Sequence, residues 1–204
     1  MLLNTFQKFS LATAGAAVLS FGLGEAAFAV GFSGSYDPAN WTLTNDNADG
    51  YVDTSNAPLV IVETGGDNSS VQFGQTSYTT TAAASGLVSF DWDYSSFDSD
   101  GAFWDPFGIL LNGVFTQLSE DNGPSDPANL FDNQNGSYSF NVSEGDIFGF
   151  AIQTVDNIFG RATVEISNFN APQNIPEPGT VVGLLAVGLG GTVLRRRQEQ
   201  SKNS

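Results

Sequence analysis

The chain has 204 residues, no cysteine and no histidine, and it carries 22 acidic residues against 6 basic ones, a net charge of −16. Disulfides, thiolate nucleophiles, zinc ribbons, imidazole bases and the Ser-His-Asp arrangement are excluded by composition alone. Lys8, Arg195, Arg196, Arg197 and Lys202 lie near the ends, so between residues 30 and 172 Arg161 stands alone against nineteen acids, a net of −18. A surface of that sign repels phosphate backbones and excludes nucleic acid as a partner. It leaves divalent cations, cationic polymers and neutral sugars as ligand classes, with plain solubility in a salty medium as the other explanation.

Residues 1–29 have the three parts of a secretory signal. Lys8 supplies the positive n-region, Phe9 to Leu23 is apolar, and Ala27-Phe28-Ala29 places small residues where A-x-A cleavage needs them. Fifteen apolar residues fall short of the roughly 20 that span a bilayer, so cleavage after Ala29 is expected, with an uncleaved anchor as the alternative.

Residues 30–172 show no amphipathic helical window. Short alternating runs are separated by Asp49-Gly50, Ser85-Gly86, Asp100-Gly101, Asn112-Gly113, Asn135-Gly136 and Glu144-Gly145, the spacing of an all-β sandwich or barrel. Expected strands, in order, are Gly31–Tyr36, Trp41–Thr44, Leu59–Glu63, Ser77–Thr81, Leu87–Tyr94, Phe107–Leu111, Val114–Leu118, a run through Tyr138, Phe140 and Val142, then Asp146–Thr154 and Arg161–Asn168. In Leu87–Tyr94, Val88, Phe90, Trp92 and Tyr94 should face the core, with Ser89, Asp91 and Asp93 facing solvent. Asn112-Gly113 tolerates the positive φ angles of a type I′ hairpin turn. About nine to eleven strands suffice for two packed sheets, and an eight-stranded jelly roll with additions is the expected architecture. In outline the segment order resembles jelly-roll modules of bacterial surface proteins.

Ser95–Phe107 is the densest polar and aromatic segment. Asp98 and Asp100 straddle a serine before Gly101, and Asp105 follows. Hard oxygen ligands on a turning loop suit Ca²⁺, which takes six to eight of them, and Asp91 and Asp93 could add charge nearby. The alternative is a solvated acidic loop whose Phe97, Phe103, Trp104 and Phe107 plug the sandwich end. Asn45, Asn47, Asp49 and Gly50 match the first half of an EF-hand-like loop, but its twelfth position falls on Asn56 rather than a bidentate Glu, which favours a plain Asp-Gly turn. Sugar binding needs flat rings beside amides or carboxylates. Trp104 is the leading candidate, with Trp41, Tyr36 and Tyr51 also available and Trp92 assigned to the core. Paired carboxylates could in principle hydrolyse glycosides, but nothing marks one of them as special.

The carboxyl end reads Asn174-Ile175-Pro176-Glu177-Pro178-Gly179-Thr180, continues uncharged to Leu194, and stops at Arg195-Arg196-Arg197. The prolines break any arriving strand. A helix over about 179–194 would cover about 24 Å, somewhat short of a ~30 Å hydrocarbon core, with the arginines held cytoplasmic as a membrane stop. Pro176-Glu177-Pro178, the apolar run and the arginine cluster together resemble the PEP-CTERM sorting signal of Gram-negative and cyanobacterial envelopes. The resemblance implies recognition of Pro176, Glu177 and Pro178 by an exosortase, removal of the tail and delivery to the cell surface or extracellular matrix. The polar extension Gln198–Ser204 departs mildly from that pattern, and an unprocessed tail anchor is the alternative.

The expected organisation is a signal peptide (1–29), a β-sandwich (30–172) and a sorting segment (173–204). The expected function is that of a non-enzymatic envelope or matrix protein, with Ca²⁺ as candidate cofactor. Its partners would be the secretion machinery, exosortase, the membrane through the C-terminal helix, and exopolysaccharide. A membrane-tethered spacer or surface-layer component without ligand is the second reading, and a glycan-active enzyme the third.

Overall fold

Alternation and turn chemistry build two antiparallel sheets. The computed structural model describes residues 27–121, 123–124 and 131–174; the signal core, the Pro-Glu-Pro motif, the expected membrane helix and Arg195–Arg197 lie outside the described residues. Eleven strands occur among them: β1 (Ala27–Val30), β2 (Thr42–Asp46), β3 (Val52–Asp53), β4 (Val60–Thr64), β5 (Gly74–Thr81), β6 (Gly86–Ser96), β7 (Phe107–Leu111), β8 (Val114–Gln117), β9 (Asn133–Val142), β10 (Ile147–Thr154) and β11 (Ala162–Gln173). One sheet runs β3-β4-β11-β6-β9, with β1 pairing the far part of β11; the other runs β2-β5-β10-β7-β8.

Counting β4 to β11 as strands one to eight, the two orders become 1-8-3-6 and 2-7-4-5. That interleaving is the double Greek key of a jelly roll. The last strand, β11, is central to its sheet: Val164 and Ile166 stand opposite Tyr94 and Trp92 of β6 and opposite Glu63 and Ile61 of β4. Its register shifts between Ser167 and Asn170, a bulge that lets the strand continue to Gln173 beside β1.

The inward faces follow the alternation. Val88, Phe90 and Tyr94 of β6 are buried, as are Phe148, Phe150 and Ile152 of β10 and Val164 and Ile166 of β11. Trp92 is half-buried, packed on the core with its ring 5.6 Å from that of Phe107. Asn112 and Gly113 take φ angles of 50° and 81° between β7 and β8, as a type I′ turn requires.

The N-terminal segment departs from expectation. Gly31–Tyr36 is not a strand: Gly31 and Gly34 adopt φ angles of 72° and 61°, and Gly34–Tyr36 is a 3₁₀ turn. Instead of alternating on a sheet, Phe32, Tyr36 and Trp41 turn into the space between the sheets. Phe32 stacks on Phe169 at 4.7 Å, and Trp41 stacks on Tyr78 at 5.0 Å and Phe150 at 5.6 Å. Each fully buried ring contributes roughly 1.5–3 kcal/mol. The segment therefore acts as a wedge that fills the core, and its aromatics are unavailable to a sugar. Tyr36 is fully buried; its hydroxyl donates to the Pro172 carbonyl at 2.6 Å and accepts from the Ala83 N–H at 3.1 Å. Trp41 donates its indole N–H to the Tyr36 carbonyl. The sheets also extend past the expected domain limits, since β1 begins at Ala27 and β11 ends at Gln173.

Candidate functional site

The loops leaving β2, β4, β6 and β10 meet at one end of the sandwich. Backbone hydrogen bonds join them: Ser69 donates to the Asn157 carbonyl, Phe97 to Arg161 and Ser99 to Phe159. Asn157, fully buried, is the hub. Its side-chain amide donates to the carbonyls of Asn47 at 2.7 Å and Gln72 at 3.0 Å, and its own N–H reaches the Thr154 hydroxyl at 2.9 Å. Gly66 and Gly74 make room for it, since a Cβ on either would lie within 2.6 Å of the Asn157 amide.

Backbone strain concentrates here. Asn47, Ser69, Val71, Asn157 and Phe159 have positive φ, five of the seven such non-glycine residues among those described. For Val71 and Phe159 that conformation is sterically costly, and it persists only where the surroundings impose it.

Asp98 and Asp105 are buried residues of the loop that leaves β6. Asp98 follows β6, and its Oδ1 accepts from the Asp100 N–H at 2.6 Å, an Asx turn that leads into Gly101 and the 3₁₀ turn Ala102–Trp104. Asp105 ends that turn, and its carbonyl accepts from the Tyr94 hydroxyl at 2.9 Å. Asp98 is 3% exposed and Asp105 0%. Asp98 Oδ2 and both carboxyl oxygens of Asp105 are buried without a hydrogen-bond partner among the described residues.

Burial pushes the Asp105 carboxyl up to about 8, helped by the charge of Asp98, opposed by the nearby Thr154 hydroxyl, and helped further by the charges of Asp156 and Asp67. Burial also raises Asp98, to about 6, against the pull of the Asp100 N–H and with the charges of Asp156, Asp100 and Asp67 adding to it. An unpaired buried carboxylate is expensive. The site must hold a proton or a cation.

The three expected cation ligands are thus placed differently. Asp98 and Asp105 are buried and within electrostatic reach of one another, whereas Asp100 is exposed. Asp91 and Asp93 are not part of this site. Asp91 instead holds Asn168 and Ser137 on the outer face of β6, beside a groove of about 270 Å³ lined by Ser89, Ser137, Ser139 and Tyr138. Among the described residues no three acidic side chains converge closely enough to enclose a metal by themselves, so a bound cation would need carbonyl oxygens or water to complete its shell.

Asn45, Asn47 and Asp49 do not converge on a common point either. Asn45 donates to the Gly50 carbonyl, Asn47 to the Phe73 carbonyl, and Asp49 accepts from the Asp67 N–H at 2.7 Å while pairing with Arg161 at 3.3 Å. They tie neighbouring loops together.

The aromatics of 95–107 separate. Phe107 is buried in the core, Phe103 and Trp104 are half-buried with rings perpendicular at 5.3 Å, and Phe97 is 67% exposed. A plug of all four therefore does not form. Phe159 is also exposed, and its backbone pairs with the strand extension that carries Phe97. The Trp104 indole N–H is buried with no partner among the described residues. Asn157, Thr154 and Phe159 carry no site signal in the sequence; Asp156-Asn157 before Gly160 reads only as a turn.

Comparison with solved structures finds distant likenesses. A family 35 carbohydrate binding module from Clostridium thermocellum is 12% identical, with 69% of this chain and 98% of that chain covered and a TM-score of 0.35. A CBM35 from Paenibacillus barcinonensis is 10% identical over 73% and 99% of the two chains, with a TM-score of 0.30. A carbohydrate binding module of Cellvibrio mixtus lichenase 5A is 13% identical over 74% and 98%, with a TM-score of 0.28. The comparison with curated proteins gives no match. At the carboxyl end, residues 174–198 match the model of the PEP-CTERM protein-sorting motif, which marks the chain as an exosortase substrate sorted to the cell envelope.

Proposed function

We propose that this exosortase-sorted surface protein is a non-enzymatic binding module whose jelly roll holds Ca²⁺ at the loop end. Asp98 and Asp105 would supply the inner ligands and the exposed Asp100 an outer one. The observation that carries the proposal is the pair of buried carboxyls with unpartnered oxygens: a divalent cation would take up the charge that burial otherwise disfavours. The cation would reach the protein after export, through an N-terminal signal ending near Ala27 and Ala29, while the span over about 179–194 and Arg195–Arg197 holds the chain in the membrane until sorting.

The exposed rings of Phe97 and Phe159 support surface polysaccharide as the partner at this end, with Trp104 in the second layer. Apolar rings left in water beside carboxylates and amides suit sugar faces and hydroxyls. A ligand-free spacer is the competing reading, in which Asp105 simply stays protonated.

Calorimetric titration of the exported protein with Ca²⁺ and then with the producing cell's exopolysaccharide separates these readings. Heat with Ca²⁺ that disappears in Asp105→Asn supports the cation site, and loss of polysaccharide binding in Phe97→Ala supports the platform. No heat with either ligand favours the spacer.

A further inference from the structure

The strand β1 overlaps the segment in which secretory cleavage is expected. Ala27, Phe28, Ala29 and Val30 pair with Gln173, Pro172, Ala171 and Asn170 of β11. Ala29 is 1% exposed and belongs to the core, while Val30 is 81% exposed. The chain then turns at Gly31, whose N–H donates to the Phe169 carbonyl at 2.7 Å. A cut after Ala29 would remove three of the four strand residues, including the one that the core buries. It would also leave Ala171–Gln173 without a neighbour on that side, since β4 pairs only with Ser167 and earlier residues of β11.

A second pair of small residues stands three positions upstream. Gly24-Glu25-Ala26 places Gly at −3 and Ala at −1, which meets the same steric requirement of the peptidase as Ala27-Phe28-Ala29. We propose that the signal is cut between Ala26 and Ala27, so that the mature protein begins with β1. The inference rests on the export reading above.

The retained strand has a consequence at the other terminus. It clamps the last four residues of β11, directly ahead of the sorting motif that begins at Asn174. Tyr36 and Ser35 secure the same stretch, through the Pro172 carbonyl and the Gln173 side chain. Without β1 the three residues Ala171–Gln173 would be held only by those two contacts, and their release would lengthen the tether between body and motif by about 10 Å, at about 3.3 Å per residue. Cleavage position therefore sets how closely the folded body sits to the exosortase substrate segment.

The test is N-terminal sequencing by mass spectrometry of the mature protein recovered from cells expressing the full chain, with Ala26→Leu and Ala27→Leu alongside. Ala27 should be the first residue. Ala26→Leu should block or displace the cut, and Ala27→Leu should leave it in place, because a bulky side chain is tolerated after the scissile bond but not at −1. A mature chain that begins at Val30, with cleavage blocked by Ala27→Leu instead, overturns the proposal while leaving export intact. A protein that keeps Met1 overturns both. Because cleavage accompanies export, these variants read out even if the folded domain is weakened.

Discussion

Asp105→Asn in cation-free buffer is the most direct probe of the loop end. The carboxyl rises from an ordinary 3.8 to about 8 in the folded protein. Between those values the unfolded chain has released its proton while the folded chain still holds it. Stability is therefore fully present below about pH 4 and is lost progressively as pH rises towards 8. At about 1.4 kcal/mol per pH unit, the accumulated cost at pH 9 is on the order of 5 kcal/mol, an upper figure because relaxation and water entry reduce it. Asparagine has nearly the same shape and no charge to bury. The variant should match the parent at pH 4 and exceed it by that amount at pH 9, about 10–20 °C in Tm at roughly 2–4 °C per kcal/mol. Excess Ca²⁺ should narrow that gap by about half, adding ~2.7 kcal/mol to the parent at a hundredfold excess over Kd and nothing to the variant. Thermal melts from pH 4 to 9, with chelator and with Ca²⁺, read both effects. A difference between parent and variant that stays flat across this range would refute the argument that Asp105 is buried uncharged.

Three further outcomes follow from the packing. Tyr36→Phe should lower stability by about 1–3 kcal/mol in chemical denaturation, because the Pro172 carbonyl and the Ala83 N–H lose their buried partner; an unchanged midpoint would mean that water replaces the hydroxyl. Asn157→Ala should cost on the order of 3 kcal/mol, combining lost donors with an unfavourable φ of 60°, and Asn157→Gly should recover the backbone share of about 1 kcal/mol. Hydrogen exchange should then rise first in 65–73, and uniform exchange across the domain would contradict the hub role. Burial raises the Glu63 carboxyl well above its ordinary range, so Glu63→Gln should stabilise the protein at pH 8 and leave it unchanged at pH 4; a loss at both values would show that Glu63 makes a specific bond.

Much of this architecture is legible in the sequence because burial repeats with period two. Leu87–Tyr94 and Phe107–Leu111 announce themselves by strict alternation or by an unbroken apolar run before Asn-Gly, and both form as expected. Gly31–Tyr36 misleads because its aromatics are spaced for a strand, yet two glycines at positive φ redirect the backbone and send the rings between the sheets. β1 escapes notice because its small and apolar residues also satisfy a peptidase. The site is harder still to read. Asp98, Asp100 and Asp105 can be picked out as a group, but the burial of Asp98 and Asp105 depends on loops that arrive from four separate strands. Asn157 gives no local signal, since its partners are 110 and 85 residues away.

The central position of β11 would matter for the proposed tethering through the C-terminal segment. Drag on a surface-displayed body pulls along the strand that leads into Asn174, and β11 is gripped by β6 on one side and by β4 and β1 on the other. Interstrand hydrogen bonds run across the strand direction, so the load falls in shear, first on the β1 row along Ala171–Gln173 and then on both rows further into the strand. Jelly-roll topology thus seats the terminal strand in the middle of its sheet, and a tether leaving Asn174 would draw on the pairing of both neighbours along 162–170.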